Sequence, residues 1–420
     1  MARYAEYKDS GEGWISEVPK HWELKKLKHI FFEKKHKGNM VLNCGSISFG
    51  KVVKKDDDKV PYATKASYQE VLQGEFLLNP LNLNYDLISL RIALSKLDVV
   101  VSAGYIVLKT QIEANKEYYK YLLHRYDVAF MKLLGSGVRQ TINFNHIADS
   151  ILIAPPLSEQ TAIAKFLDDK VAKIEALVGI KRRQIELLAE RKQVLIQNAV
   201  TQGLNPDAPM KESGVDWIGE IPEHWEVKRN AILFQERKDA GNEKLPVLSV
   251  SIHSGVSTKE LSEDENIRST IKIQDRTAYK EVLSGYIAYN MMRAWQGGIG
   301  AVKVHGMVSP AYVVAKPIKD LDSEYFELLY RTPAFIWQMD SYSKGITDFR
   351  KRLYWEGFRE LMTIAPPIKE QQEIIEICAL ESIKIDKTIT LKQNQIEKLT
   401  EYKTTLINAA VTGKIKVAGE

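Results

Sequence analysis

Cysteine is scarce in this chain, and long apolar runs are missing. The two cysteines, Cys44 and Cys378, lie far apart among 420 residues, which argues against a disulfide framework or a cysteine-rich zinc site and favours a reducing compartment. No stretch approaches the roughly 18 uninterrupted apolar residues that a membrane-spanning helix needs. The opening segment M-A-R-Y-A-E-Y-K-D-S has no apolar core of the kind that export signals carry. We therefore expect a cytoplasmic protein that does not enter the membrane.

The sequence also lacks recognisable catalytic motifs. It has no G-x-x-x-x-G-K-[ST] phosphate-binding loop, no G-x-G-x-x-G fingerprint and no H-E-x-x-H zinc motif. Asn79-Pro80 and Ala365-Pro366-Pro367 match only part of the motif with which amino-methyltransferases hold a target base. The acidic run at 56–58 has no second acidic position in a convincing strand, so we interpret it as a solvated loop. We expect no catalytic residue, no metal site and no cofactor bound by this chain.

Charge of neither sign dominates. The net charge is +5, and hydrophobic and charged residues make up 45% and 27% of the chain, as is usual for a globular protein with room for two or three domains. Residues 1–156 carry 22 Lys and Arg against 17 Asp and Glu, whereas residues 210–367 carry 21 against 22. The first half is thus the more basic, but bulk charge leaves nucleic-acid binding open.

The chain contains the same markers twice, in the same order. Residues 8–25 read K-D-S-G-E-G-W-I-S-E-V-P-K-H-W-E-L-K, and residues 211–228 read K-E-S-G-V-D-W-I-G-E-I-P-E-H-W-E-V-K. I-A-P-P-L-S-E-Q at 153–160 likewise returns as I-A-P-P-I-K-E-Q at 364–371. A period of about two hundred residues indicates a duplicated domain rather than a short solenoid repeat. We expect the repeated histidines, His21 and His224, to pack the start of each copy onto its domain.

The sequence before each A-P-P motif predicts a mixture of strands and helices, and the sequence after it predicts a single long helix. Short β-rich runs such as 98–108 and 298–304 alternate with helical pieces predicted at 116–134 and 323–339, which favours α+β domains. Residues 158–200 contain no proline and one glycine, and residues 369–412 contain neither. Each predicts a helix of about 64 Å. Pro156 and Ser158 offer a start and an N-cap for the first helix.

Apolar residues recur at alternating spacings of three and four along both predicted helices, which is typical of a coiled coil. The predicted seam residues are Leu167, Ile174, Ile185, Leu188, Leu195, Ile385, Ile396, Leu399 and Leu406. The stripe is interrupted at matching positions, by Lys181 and Lys392 and by Lys192 and Lys403. We expect the two helices to pack antiparallel on each other, with these lysines setting the register. The alternative is that each stripe only covers its neighbouring domain.

Two segments differ most between the copies, and both combine glycine turns with polar and aromatic side chains. Arginine pairs well with guanine, glutamine with adenine, and lysine or threonine with phosphate. The predicted DNA-contacting residues are Asn82, Tyr85, Arg139, Gln140, Thr141 and Asn143 in the first copy, and Arg293, Trp295, Gln296, Arg350, Lys351 and Arg352 in the second. Divergent surface loops without a binding role are the alternative.

Together, the W-I-G-E-I-P-x-H-W-E-V segment, the R-Q-T-I-N-F and R-K-R-L-Y-W segments and the A-P-P-L-x-E-Q helix start resemble the specificity subunits of bacterial type I restriction–modification enzymes. The resemblance covers essentially the whole chain; Ser16 departs from the glycine found at Gly219. It implies two target-recognition domains, at 1–156 and 210–367, separated by antiparallel spacer helices within 157–209 and 368–420 and related by a pseudo-twofold axis.

The resemblance also implies a non-catalytic role: reading a bipartite, asymmetric site in double-stranded DNA. Two modification subunits would supply S-adenosylmethionine binding and adenine methylation, and two restriction subunits would supply ATP- and Mg²⁺-dependent translocation and cleavage. A standalone DNA nuclease or methyltransferase, and a purely structural coiled-coil scaffold, remain the alternatives.

Overall fold

The computed structural model describes residues 2–81, 90–131, 141–242, 244–259, 278–345 and 351–417. The chain divides into two compact units. Unit 1 comprises Met1–Lys181 with Asn394–Glu420, and unit 2 comprises Arg182–Gln393. This division cuts both long helices, so each unit contains one globular part and about half of each helix.

Unit 1 is built from short strands and helices that precede the first long helix. Its strands are β1 (Tyr7–Asp9), β2 (Glu17–Pro19), β3 (Glu23–Lys26), β4 (Phe31–Glu33), β5 (Gly45–Ser48), β6 (Lys51–Lys54), β7 (Gln69–Val71), β8 (Phe76–Leu78), β9 (Ile92–Leu94), β10 (Val99–Val101), β11 (Ile106–Thr110) and β12 (Ile151–Ala154). Its helices are α1 (Leu27–Ile30), α2 (Tyr62–Ala66), α3 (Lys116–Ala129), α4 (Phe144–Ala148) and the start of α5 (Leu157–Gln202).

Unit 2 follows the same plan. Its strands are β13 (Met210–Glu212), β14 (Glu220–Pro222), β15 (Glu226–Arg229), β16 (Phe234–Arg237), β17 (Val247–Leu248), β18 (Val250–Ser251), β19 (Gly255–Val256), β20 (Lys280–Val282), β21 (Ile287–Asn290), β22 (Ile299–Ala301), β23 (Gly306–Val308), β24 (Tyr312–Pro317) and β25 (Met362–Ala365). Its helices are α6 (Asn230–Leu233), α7 (Ser323–Tyr330), α8 (Pro333–Ser341), α9 (Trp355–Phe358) and the start of α10 (Ile368–Val411).

Each unit is organised around one antiparallel four-stranded sheet, in the order β4-β11-β8-β9 in unit 1 and β16-β24-β21-β22 in unit 2. Because successive side chains in a strand point to opposite faces, these strands cover two cores at once. Phe76 and Leu78 pack in the core that contains Trp22, whereas Leu77 packs with Val107 in a smaller cluster on the other face. Burial on both faces explains why these strands read as continuous apolar runs.

The helices beside the sheets begin at side-chain caps. Asn115 accepts a hydrogen bond from the Tyr118 amide (3.1 Å) at the start of α3, and Asp322 caps α7 in the same way. The single helix predicted over 323–339 is wrong. It is two helices, because the Thr332 hydroxyl caps a new start and Pro333, which cannot donate a backbone hydrogen bond, takes its first position.

Both long helices are present, and each begins directly after its A-P-P motif. α5 begins at Leu157, one residue earlier than predicted, so Ser158 lies inside the first turn and the prediction that it caps the helix is wrong. α10 begins at Ile368. The proline before each start is well placed, since the first helical turn leaves its backbone amides without intrahelical partners.

Three of the four matched lysines of the stripe, Lys181, Lys192 and Lys403, make contacts between α5 and α10. In unit 1, Lys403 Nζ lies 3.4 Å from Glu175 Oε1, and Lys181 Nζ lies 2.7 Å from Gln395 Oε1. As α5 advances from Glu175 to Lys181, α10 runs back from Lys403 to Gln395, so the helices are antiparallel there.

Unit 2 repeats this contact at corresponding positions. Lys192 Nζ lies 2.9 and 2.7 Å from the two carboxylate oxygens of Asp386. All nine predicted seam residues are buried or half-buried. The stripes also cover the domains: Leu167 packs in the core with Trp22, and Cys378 in the core with Trp225. The two interpretations of the stripe are therefore both realised, in different stretches of each helix.

One side-chain cluster, which we call the junction, ties the first turn of each long helix to its domain. In unit 1, Glu159 is bound by His21 (Nε2 to Oε1, 2.6 Å) and by Trp22 (Nε1 to Oε2, 3.1 Å). Partial burial opposes ionisation of this carboxyl, but hydrogen bonds from Tyr4, His21 and Trp22 outweigh it and hold the pKa of Glu159 below its ordinary value. The expectation that His21 packs the start of the copy onto its domain agrees with this geometry.

The junction recurs in unit 2. Glu370 is bound by His224 (2.6 Å) and by Trp225 Nε1 (2.8 Å). The opposite helix also ends at this point in both units. Tyr118 donates to the Val411 carbonyl (3.2 Å) in unit 1, and Tyr325 donates to the Val200 carbonyl (2.9 Å) in unit 2.

Candidate nucleic-acid interface

The two divergent segments meet at the same place in both units. In unit 1, the Ile142 amide donates to the Pro80 carbonyl (3.2 Å). In unit 2, the Leu353 amide donates to the Met291 carbonyl (2.9 Å). Ile142 corresponds to Leu353 and Pro80 to Met291 at the same offset in the repeat. Segments that are about sixty residues apart in sequence thus form one continuous edge in each unit.

The unit 2 edge is built on a short 3-10 helix at Ala294–Gln296. Gly297 closes it with a φ of +86°, a conformation that side chains with a Cβ rarely adopt. A Cβ at Gly298 would lie 2.9 Å from the Arg293 carbonyl oxygen, so the chain must pass close to Arg293 here. The turn holds the Arg293 guanidinium 2.6 Å from Gln296 Oε1, and Trp295 donates to the Met292 carbonyl (3.0 Å).

The second unit 2 segment brings its cations beside the same tryptophan. Lys351 Nζ lies 5.2 Å from the centroid of the Trp295 ring and 2.8 Å from Asp340 Oδ1. Arg352 Nη2 contacts Met292 Sδ at 3.9 Å, and its backbone pairs with that of Lys344. Five predicted residues, namely Arg293, Trp295, Gln296, Lys351 and Arg352, therefore lie together; Arg350 lies outside the described residues.

This grouping suits nucleic-acid contact chemically. All five side chains are half-buried, so each keeps a surface for a ligand. A guanidinium held by a planar amide presents donors in a fixed direction, as bidentate contact with a base edge requires. An ammonium beside a partly accessible aromatic ring suits a phosphate next to a stacked base or sugar.

The unit 1 edge is described only in part. Leu81 forms a β-bridge with Thr141, whose side chain is exposed. Asn143 uses its side-chain oxygen to accept the His146 amide (3.2 Å) at the start of α4, and its side-chain nitrogen has no partner among the described residues. Four further predicted residues, namely Asn82, Tyr85, Arg139 and Gln140, lie outside the described residues.

One contact of the unit 2 edge and one exposed turn elsewhere in unit 1 were not predicted from the sequence. Asp340 anchors Lys351 but is eleven residues away on α8, so no local pattern pointed to it. The β5–β6 turn of unit 1 exposes Phe49, which is 85% accessible with a φ of +46° and lies two residues before Lys51, the first residue of β6. The signal for this turn was the S-F-G-K sequence at 48–51, where a glycine follows an aromatic residue between two short β-rich runs.

Within the described ranges, no group of three or more His, Cys, Asp and Glu side chains is arranged to hold a metal ion. No helix in that part of the chain is long and apolar enough to span a membrane.

Residues 19–187 match the family model described as type I restriction modification DNA specificity domain. Over almost its whole length the chain is similar to the MjaX type I restriction enzyme specificity subunit of Methanocaldococcus jannaschii, with 24% identity over 439 residues and 96% of each chain covered. The chain is thus similar over almost its whole length to a type I restriction–modification specificity subunit, and residues 19–187 match the DNA specificity domain of that family.

A second relative, the MjaVIII specificity subunit of the same organism, is 26% identical over 280 residues and covers 63% of this chain and 61% of its own. Among solved structures, a chain from a study of complex assembly and conformational transition of the type I R-M system has the same fold, with a TM-score of 0.62, 14% identity, and 95% of this chain and 99% of that chain covered. The predicted fold class, α+β with an internal duplication and a pair of long antiparallel helices, is confirmed.

Proposed function

We propose that this chain reads a bipartite, asymmetric site in double-stranded DNA. Residues 1–156 read one half-site and residues 210–367 the other, while 157–209 and 368–420 set the distance between them. One observation carries the proposal. The two most divergent segments of the duplicated chain share one edge in each unit, joined by corresponding hydrogen bonds from Ile142 and Leu353. Two units with the same fold but different side chains at this edge are suited to reading two different half-sites.

Within unit 2 the side chains divide by chemistry. Arg293 and Arg352 read base edges, since guanidinium groups pair with guanine, and Gln296 orients Arg293. Lys351 contacts the DNA backbone beside Trp295. In unit 1 we assign base reading to Arg139 and Gln140 and polar contact to Thr141 and Asn143.

Catalysis belongs to partners in this proposal. Two modification subunits bind S-adenosylmethionine and methylate adenine, two restriction subunits use ATP and Mg²⁺, and the assembly acts in the cytoplasm. The long helices offer a docking surface, since each carries apolar side chains that are at least 47% exposed. These residues are Leu177, Ile180, Leu187, Val194, Leu380, Ile383 and Leu391.

The test is to assemble the chain with its modification subunits and map the methylated adenines. Arg293→Ala should relax one base position in one half-site and weaken binding by about 1–3 kcal/mol, whereas Lys351→Ala should weaken all sequences alike and reduce the salt dependence. Arg229→Ala is the matched control, because Arg229 is an exposed arginine that pairs with Glu360 beside β25. A change in both half-sites, or in neither, contradicts the assignment.

The spacer is tested separately. Inserting four residues, about one helical turn, after Lys181 and also after Lys392 should lengthen the gap between the half-sites and leave both half-sites unchanged. Altered half-sites would overturn the spacer role. The enzyme alternative is tested with the purified chain: methylation or cleavage with S-adenosylmethionine or Mg²⁺ and no partner would refute an adapter role.

A further inference from the structure

The junction of unit 1 holds one residue that the junction of unit 2 does not repeat. The Tyr4 hydroxyl donates to Glu159 Oε2 (2.6 Å), and its ring lies 5.6 Å, centroid to centroid, from both His21 and Trp22. Burial of the ring, together with the hydrogen bond to the Glu159 carboxylate, raises the pKa of the Tyr4 hydroxyl, so that it stays a neutral donor. Tyr4 packs against the core of unit 1.

Unit 2 has the same surroundings but a different residue at this point. At the offset of the repeat, Asp207 stands where unit 1 has Tyr4, and Asp207 is exposed. A cavity of about 260 Å³ lies beside the junction of unit 2. We call it the unit 2 cavity; its lining includes Gln202, Gly203, Leu204, Pro222, His224 and Glu370. Among these, His224 and Glu370 correspond to the unit 1 residues that contact Tyr4.

The hydrogen bonds differ in the same way. Glu159 Oε2 accepts from both Trp22 and Tyr4, whereas among the described residues Glu370 Oε2 accepts from Trp225 only. The Glu370 side chain is correspondingly more exposed, at 34% against 24%. The carboxylate oxygen of Glu370 therefore retains acceptor capacity at the cavity.

We propose that the unit 2 cavity binds a tyrosine side chain of a partner polypeptide. The phenol hydroxyl donates to Glu370, and the ring packs against His224 and Trp225, as Tyr4 does in unit 1. The chain's own tyrosine shows that this set of side chains accommodates a phenol on a polypeptide. The cavity is also smaller than the ~300–1,000 Å³ of sites for drug-sized ligands. Glu370 and Glu373 both line it, which disfavours phosphotyrosine and DNA phosphates.

The test uses the full chain with ¹⁵N-labelled tryptophan and N-acetyltyrosinamide as the probe. The indole N–H signal of Trp225 should shift saturably, while that of Trp22, where Tyr4 already occupies the position, should not. N-acetylphenylalaninamide lacks the donor and should bind about 10- to 150-fold more weakly, since a hydrogen bond to a charged group contributes about 1.5–3 kcal/mol. No shift of Trp225, or equal binding of the two probes, would overturn the proposal.

Substitutions at two positions should exchange the properties of the two junctions, one by filling the unit 2 cavity and the other by emptying the corresponding place in unit 1. Asp207→Tyr should fill the cavity from within the chain and abolish probe binding, whereas Asp207→Phe should reduce it less. Tyr4→Ala should make Trp22 respond to the probe. Unchanged probe binding in Asp207→Tyr, or a Trp22 signal that stays silent in Tyr4→Ala, would count against a phenol site. None of these measurements uses DNA, so their outcome is independent of the half-site assignment.

Discussion

Units 1 and 2 each contain the same kind of four-stranded sheet and the same junction. They differ at one buried position, where unit 2 has hydrogen-bonded polar side chains and unit 1 has apolar ones. In unit 2 the Asn230 side-chain oxygen accepts from the Tyr330 hydroxyl (2.8 Å) and the Thr363 hydroxyl (2.7 Å), while its nitrogen donates to the Phe358 carbonyl (3.1 Å). Asn230 is completely buried, and so is Thr363.

Unit 1 places leucines at the corresponding positions, and all three are completely buried: Leu27, Leu123 and Leu152. Leu27 begins α1 as Asn230 begins α6, and Leu152 pairs with Lys25 in its ladder as Thr363 pairs with Lys228. The same backbone thus accepts an apolar trio or a polar trio, provided that every polar group of the latter has a partner. Duplicated domains can diverge internally without losing their fold.

The largest expected loss of stability comes from placing the asparagine of the polar trio among the leucines of the apolar trio. Leu27→Asn should lower the free energy of unfolding by about 4 kcal/mol, because it removes buried apolar contacts and leaves a buried amide without partners. Urea unfolding of the full chain measures it.

The reverse change is the control. Asn230→Leu should lower the free energy of unfolding by about 2–3 kcal/mol, because it leaves two buried hydroxyls without an acceptor. Adding Tyr330→Leu and Thr363→Leu should recover part of that loss. A cost below 1 kcal/mol for Leu27→Asn would mean that the two positions are not equivalent environments.

The glycines that end the long helices should differ next. A Cβ at Gly413, where φ is +71°, would lie 2.4 Å from Pro19 Cδ; at Gly203, where φ is +79°, it would lie 3.2 Å from Trp225 Cζ2. Both alanine variants incur left-handed strain of about 1–2 kcal/mol, and Gly413→Ala adds overpacking of about 1–3 kcal/mol. Thermal unfolding should therefore rank Gly413→Ala as clearly the more damaging; equal losses would show that Pro19 yields.

Acid should weaken the junction of unit 1. The pKa of Glu159 is lower in the folded state than its ordinary value of 4.5, so near that pH the folded state binds fewer protons than the unfolded state. The resulting stability is complete above 4.5 and disappears as the pH falls through the folded pKa, with a slope of at most about 1.4 kcal/mol per pH unit.

The check is the difference in stability between the wild type and Glu159→Gln, followed from pH 6 downward. This difference should shrink below pH 4.5. Tyr4→Phe, which leaves two donors on the carboxylate as in unit 2, should make the decline shallower. A difference that does not vary with pH would exclude ionised Glu159 as its source.

The smallest effect is expected at the lysines between the helices. Lys192 and Lys403 are about 30% exposed, and exposed ion pairs contribute about 0–1 kcal/mol. Lys192→Met should change stability by less than about 1 kcal/mol, and Lys403→Met by less still, because the contact with Glu175 is longer. If Lys192→Met instead changes the oligomeric state in sedimentation, the lysine specifies register rather than stability.

Features encoded by residues close together in the sequence could be predicted, and features that depend on residues far apart in the sequence could not. The long helices, the seam from Leu167 to Leu406 and the duplication were predictable because apolar periodicity and repeated segments are local signals. The break at Thr332-Pro333 is also encoded locally, because a threonine followed by proline is a common helix start. Glu159 was not recognised as a junction residue, because its partner His21 is 138 residues away and only packing brings them together.

For the candidate interface, the residue types were predicted but their grouping was not. Sequence divergence between the copies singled out Arg293 and Arg352, yet nothing local indicated that both would lie beside Met292, or that Asp340 would anchor Lys351. Asn143 was predicted to contact DNA because it is polar, whereas in the structure its side-chain oxygen caps the start of α4.

The sequence by itself determined that this protein is a duplicated chain with two long amphipathic helices, because periodicity and repetition are written in neighbouring residues. Tertiary structure alone decided that the divergent segments share an edge, that each unit combines halves of both helices, and that the junction holds Tyr4 in unit 1 but a cavity in unit 2. Those outcomes depend on contacts between residues far apart in the chain, and the close packing of buried side chains selects among them.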